Sequence, residues 1–234
     1  CRKTAMKVVS NNVKSVRLTE NDLEEYLGVR RYHEDRVAGE PLVGVVNGLA
    51  WTSVGGEILE VEVNVVDGSG KVELTGNLGD VMKESARAAL SYIRSRAVQL
   101  GIDRDFYKTK DIHVHFPEGA VPKDGPSAGV AITTAMVSAL TGIPVRRDVA
   151  MTGEVTLRGR VLAIGGLREK TMAALRSCVH TVFIPEENER DLAEIDQRVC
   201  AALCFVPVKQ VDEVLAGALT GHTAAIAAIG SGIH

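Results

Sequence analysis

The chain has 234 residues, 45% of them hydrophobic and 24% charged, enough to bury a substantial core as one large domain or two small ones. Its 27 basic and 30 acidic residues leave a net charge of −3 and are spread along the whole length, so no basic tract points to nucleic acid or to an anionic membrane surface. No signal peptide opens the chain and no apolar run could span a bilayer, which leaves a soluble globular protein, expected in the cytoplasm.

The first residue is Cys1 rather than methionine, and Cys1-Arg2-Lys3 reads as the middle of a helix. Residues 1–10 are therefore expected to be the last turns of a helix, and the chain a fragment of a longer protein. Thr19-Glu20-Asn21-Asp22 has the form of a capping box and opens a short helix through Leu23, Tyr26 and Leu27 that Gly28 ends. This piece has too few apolar residues to stand alone. The charged stretch from Val29 to Glu40, with Gly39 and then Pro41, reads as a linker.

From Leu42 the pattern turns to strands. LVGVVNGLAWTSV, EILEVEVNVV and KVELTG are expected as an antiparallel set, joined by Gly55-Gly56 and by Asp67-Gly68-Ser69-Gly70. Gly68-Ser69-Gly70-Lys71 lacks the glycine spacing and the following Ser/Thr of a phosphate loop, so it is a turn. Asp80 to Leu100 carries apolar residues at helical spacing and predicts a long amphipathic helix over one sheet face. Asp111 to Phe116 reads as a strand with His113 and His115 on one side, since strand side chains alternate.

That strand leads into Pro122-Lys123-Asp124-Gly125-Pro126-Ser127-Ala128-Gly129, followed by the apolar helix AGVAITTAMVSAL. Ser127 thus sits at a helix N-terminus, where free N–H groups and the helix dipole favour the negative charge of an acyl-transfer intermediate. Pro126 has no N–H, so oxyanion donors are sought at Ser127 itself and at Gly125 or a neighbouring loop. The same serine can be read as an N-cap alone. Further on, Val149 to Gly153 reads as a strand, Val155 to Ile164 as a hairpin, and Leu167 to Ser177 as a helix released by Gly165-Gly166. Strands at Thr181–Ile184 and Leu203–Val206 alternate with helices near 188–195 and 210–219, which favours an α/β arrangement with a parallel component. The Gly- and Ala-rich tail from Thr220 is expected to be partly disordered or added. Cys1, Cys178, Cys200 and Cys204 lack zinc-site spacing and are read as reduced thiols.

A serine hydroxyl needs a base to become a nucleophile. Gly125-Pro126-Ser127-Ala128-Gly129 satisfies G-x-S-x-G, but a loop and not a strand precedes the serine, as a nucleophile elbow would require. His113, His115 and His180 remain histidine candidates, with His222 and His234 in the tail. The other candidate is Lys170, in the first turns of the helix after Gly165-Gly166, where the dipole disfavours its protonated form. Most lysines are merely solvated, and read alone Lys170 would carry no case.

Read together, Asp124-Gly125-Pro126-Ser127-Ala128-Gly129, Met151-Thr152-Gly153-Glu154 and Gly165-Gly166-Leu167-Arg168-Glu169-Lys170 resemble, in order, the motifs of the proteolytic domain of the Lon family of ATP-dependent serine proteases. The resemblance extends to Leu49-Ala50-Trp51-Thr52, to Asp111–His115, and to Ile184-Pro185-Glu186-Glu187-Asn188 with Asp191-Leu192, and covers residues 37–219. Leu167-Arg168, in place of the commoner Ile-Lys or Leu-Lys, departs from the pattern without touching the chemistry. The resemblance implies a mixed α+β fold, with antiparallel N-terminal strands, a βαβ-type second half and helices covering the sheet. It implies a Ser-Lys dyad of Ser127 and Lys170, with Thr152 holding the amine and Asp124, Gly125 and Glu118 supporting the site. Residues 1–36 would be the end of the family's ATPase module. The chain has no Walker A sequence, so no cofactor is expected here, ATP and Mg belonging to the motor of a longer parent. The partners implied are unfolded or damaged proteins and peptides, and further copies of the chain in a hexameric ring.

Overall fold

A computed structural model describes residues 2–10, 14–28, 39–52 and 55–221. The chain divides into two compact units, residues 1–35 and 36–234. Most of the expected linker, and the tail beyond residue 221, lie outside the described residues.

In the first unit, α1 (Arg2–Ser10) and α2 (Leu23–Leu27) bury no residue. Asp22 accepts from the Thr19 amide at 2.8 Å and the Thr19 hydroxyl at 2.7 Å, closing the turn before α2, and Gly28 ends that helix at φ 87°. Lys7 lies 4.9 Å from the centre of the Tyr26 ring and pairs with Glu25.

The second unit runs β1 (Val45–Thr52), β2 (Gly55–Asp67), β3 (Val72–Thr75), α3 (Asp80–Arg96), α4 (Phe106–Thr109), β4 (Lys110–His115), α5 (Gly129–Thr141), β5 (Val149–Met151), β6 (Glu154–Val155), β7 (Val161–Leu162), α6 (Leu167–Arg176), β8 (Thr181–Pro185), α7 (Gln197–Ala202), β9 (Cys204–Val208) and α8 (Val211–Ala218). Among the described residues seven strands form one mixed sheet in the order β3-β4-β2-β1-β5-β8-β9, with β6 and β7 apart as a small hairpin. The apolar residues of β2, such as Leu59, Val61 and Val63, face α3, α5 and α8 across the larger core. On the opposite face Leu49, Ala150, Val182 and Ile184 pack against residues of α6 and α7 in a second core. The resulting architecture is mixed α/β, a seven-stranded sheet covered by helices.

The N-terminal strands depart from an all-antiparallel set. β1 and β2 pair antiparallel, but β3 pairs parallel with β4, which lies between β2 and β3. The turn between β2 and β3 explains the exchange. The Asp111 carboxylate accepts from the amides of Ser69 and Lys71, each at 2.8 Å, and Gly68 donates to the Thr109 carbonyl at 2.9 Å. These bonds hold the turn on β4, so β3 returns along the outer edge of β4 and not beside β2. They also turn the Ser69, Gly70 and Lys71 amides onto a carboxylate of the chain itself. Along the second half, β5, β8 and β9 are mutually parallel, with α6 and α7 as the crossovers. The expected helix near 188–195 is a 3-10 segment over Glu186–Glu194.

Among the described residues no helix is long and apolar enough to cross a membrane.

Candidate active site

Ser127 lies in a 3-10 turn, Pro126–Ala128, that runs directly into α5. The local sequence builds this turn. Gly125 takes φ 119°, a conformation that side chains rarely adopt, and Pro126 presets the first position of the turn. The turn is fastened to the segment that follows β5. The Ser127 carbonyl accepts the Gly153 amide at 2.9 Å, and Val130 donates to the Gly153 carbonyl at 3.1 Å. Gly129 permits this approach, because a Cβ there would stand 2.9 Å from the Val155 amide nitrogen. The second glycine of G-x-S-x-G therefore serves the packing of the serine turn on β6.

Lys170 projects from the first turns of α6 and is only 2% exposed. Its amine donates to the Thr152 hydroxyl at 3.0 Å, and that hydroxyl donates in turn to the Ser127 carbonyl at 3.5 Å, the outer limit for such a bond. Among the described residues no carboxylate pairs with the amine, and burial pushes its pKa down to about 8. The hydrogen-bond direction matters. Thr152 has one proton, turned to the Ser127 carbonyl, so it meets the amine as an acceptor and leaves the lone pair of a neutral lysine free for another donor. The three residues thus converge from three elements: the serine turn, the end of β5 and the start of α6. Among the described residues no direct hydrogen bond joins the Lys170 amine to the Ser127 hydroxyl. Unliganded catalytic pairs are commonly longer than the bond they form with substrate.

The remaining candidates have other places. One Asp124 carboxylate oxygen accepts the Met82 amide at 3.0 Å and the Gly125 amide at 2.9 Å. Asp124 therefore acts as the missing cap of α3, whose N-cap position is occupied by Gly79, where a Cβ would meet the Asp124 carboxyl carbon at 2.2 Å. The Gly125 amide, expected as an oxyanion donor, is bonded to this carboxylate, because the turn points it back at Asp124; the Ser127 amide is the other candidate. Glu118 sits in the loop at φ 61°, and among the described residues its carbonyl, not its carboxylate, is engaged, by the Lys123 amine at 2.7 Å and the Val121 amide at 3.0 Å. His113 and His115 both contact the Thr75 hydroxyl, at 2.8 and 2.7 Å, on the outer sheet face, and His180 is exposed. Among the described residues none of these histidines is bonded to Ser127, Thr152 or Lys170, and no group of three or more His, Cys, Asp or Glu is placed to hold a metal.

Asn188 is a site residue that motif reading quotes without a role. It is 3% exposed, and its side chain accepts from the Ile164 amide and donates to the Ile164 carbonyl, both at 2.9 Å. Asn188 thereby grips the segment that enters Gly165-Gly166 and α6. A buried asparagine in an otherwise charged run was the available signal.

A family model described as the Lon protease (S16) C-terminal proteolytic domain matches residues 17–221. The Lon protease of Finegoldia magna is 58% identical over 214 residues, covering 92% of this chain and 28% of the relative. That of Brucella suis is also 58% identical over 214 residues, covering 92% and 26%, and that of Brevibacillus choshinensis is 56% identical over 220 residues, covering 94% and 28%. The chain thus spans between 26% and 28% of the length of these curated relatives.

Proposed function

The chain belongs to the Lon protease (S16) C-terminal proteolytic domain family, and from that premise we propose that it is a serine endopeptidase in which Ser127 is the nucleophile and Lys170 the general base. The observation that carries this reading is the buried Lys170 amine, whose recorded partner is a threonine hydroxyl itself directed at the Ser127 carbonyl. With a pKa of about 8, about a tenth of the lysine is neutral at pH 7. Neutral Lys170 takes the Ser127 proton as the serine oxygen bonds to a substrate carbonyl carbon, and the carbonyl oxygen becomes an oxyanion facing the N-terminus of α5. Protonated Lys170 then gives its proton to the leaving amine as the C–N bond breaks. In the second half Lys170 takes a proton from water, the hydroxide oxygen bonds to the acyl carbon, and the returning proton restores Ser127.

The fuller reading concerns a longer parent. There an ATPase module would hold ATP and Mg and feed unfolded, damaged or short-lived regulatory proteins to the serine sites of a cytoplasmic homohexameric ring, as part of protein quality control and the stress response. This chain would supply the cutting.

Ser127→Ala is expected to lower cleavage of an unfolded casein-like protein by at least about a thousandfold with the fold intact. Lys170→Ala and Lys170→Arg should lose as much, since arginine stays protonated. The rate should rise with pH around 8; wild-type-like turnover in Ser127→Ala, or a rise centred near pH 6.5 as for histidine, would overturn the assignment.

A further inference from the structure

We propose that Trp51 is a positioning residue for the proposed base, holding the first turn of α6 so that the Lys170 amine stays on Thr152; this rests on the Ser-Lys reading. Trp51 is 61% exposed, so it is no core residue, yet it makes a close one-sided contact. A Cβ built on Gly166 would stand 2.9 Å from its Cγ and 3.0 Å from its Cβ. Gly166 is the N-cap residue of α6, in the left-handed region at φ 69°, and among the described residues no side chain caps the first turn. The bond that closes that turn runs from the Lys170 amide to the Gly166 carbonyl at 3.1 Å. Trp51 thus covers the residue to which the backbone of Lys170 is tied.

The cross-strand partner of Trp51 is Gly56, and it completes the seat. A Cβ on Gly56 would stand 1.9 Å from the Glu169 carbonyl oxygen and 2.9 Å from the Lys170 amide nitrogen, and the Gly56 carbonyl accepts the Arg176 guanidinium at 2.7 Å. The ends of β1 and β2 hold α6 from beneath, while Trp51 holds its uncapped start. Among the described residues no carboxylate draws the Lys170 amine to a fixed point, so its bond to Thr152 depends on the packing of its own turn. A displacement of about 1 Å between reacting groups can cost on the order of a hundredfold in rate.

The test uses this chain and its Trp51→Ala and Trp51→Phe variants on a fluorogenic peptide. Trp51→Ala should lower kcat at least about tenfold with KM within about twofold. Its rate-pH limb should move upward by about one unit, as a loosened amine regains water and approaches the ordinary lysine value. Trp51→Phe, which keeps an aromatic cover on Gly166, should restore most of both. Because the chain has a single tryptophan, wild-type emission followed from pH 6.5 to 9.5 should show a step near 8 that is absent in Lys170→Met, a readout that stands even if Trp51→Ala fails to fold. The proposal is overturned if Trp51→Ala folds and keeps both kcat and the limb, or if the emission shows no step. A base other than Lys170 would be revealed differently, by turnover surviving in Lys170→Ala.

Discussion

Burying the Lys170 amine beside Thr152, with no carboxylate paired to it among the described residues, leaves its charged form uncompensated, and the pKa falls from 10.5 to about 8 by desolvation. The folded chain then binds fewer protons than the unfolded chain between about pH 8 and 10.5, so stability rises with pH through that window. Below about pH 8 the full cost is present, on the order of 3 kcal/mol for a shift of this size. Lys170→Met keeps the apolar stem and removes the charge. It should raise the unfolding free energy at pH 7 by an amount of that order, and the advantage should fade as pH approaches 10.5; denaturant melts at several pH values measure both. A variant no more stable than wild type at pH 7 would mean that the amine is better solvated than its 2% exposure indicates. The same uncompensated burial lets the lysine be neutral near physiological pH, so the proposed catalysis and the stability cost have one cause.

At the scale of elements, the serine loop and α3 depend on each other through Asp124. The helix begins after Gly79 and supplies no cap of its own, and the carboxylate that satisfies Met82 comes from the residue three before Ser127. Asp124→Ala should cost about 1 kcal/mol, the usual value of a cap, and lower the melting temperature by about 2–4 °C in a chain of this size. It should also release the Gly125 amide. Asp124→Asn, which keeps an acceptor oxygen, should recover most of the stability; melting curves for the pair would show whether capping or charge is responsible. Equal loss in both would point to charge. Asn188 works similarly at the other end of the site, since two of its side-chain bonds go to Ile164, just before the start of α6, while a third, donated to the Asp191 carboxylate at 2.6 Å, steadies the amide itself. The proposed catalytic groups are therefore held by side-chain grips on backbone placed immediately before each helix.

At the scale of the molecule, the apolar load is concentrated in the second unit. Residues 129–138 of α5 are buried without exception, whereas α1 and α2 bury none. Amide hydrogen exchange should therefore be slowest in α5 and the central strands, close to the global unfolding free energy, and fast in α1 and α2. Comparable protection in α1 and α5 would contradict this. The sheet also shows how far local pattern reaches. The alternation of Leu59 and Val61 with Glu60 and Glu62 names the buried face of β2, and the apolar run after Ser127 names α5 as a core helix, because period and composition are properties of neighbouring residues. Neither tells which strand lies beside which. β4 enters between β2 and β3 because Asp111 holds the Gly68–Lys71 turn, a contact between distant parts of the chain.

The sequence by itself determined the turns and helix starts that carry Ser127 and Lys170, since these follow from glycine, proline and periodicity within a few residues, whereas Thr152 and the pairing of Ser127 with Lys170 came from the resemblance of three separated motifs to the Lon family. Only the tertiary structure decided that Asp124 caps α3 and takes the Gly125 amide, that the Thr152 hydroxyl is directed at the Ser127 carbonyl, and that Trp51 covers the start of α6. Those are meetings of segments far apart in the chain. They are chosen by what burial brings together and by which donors then lack a partner, and local propensity carries no information about either.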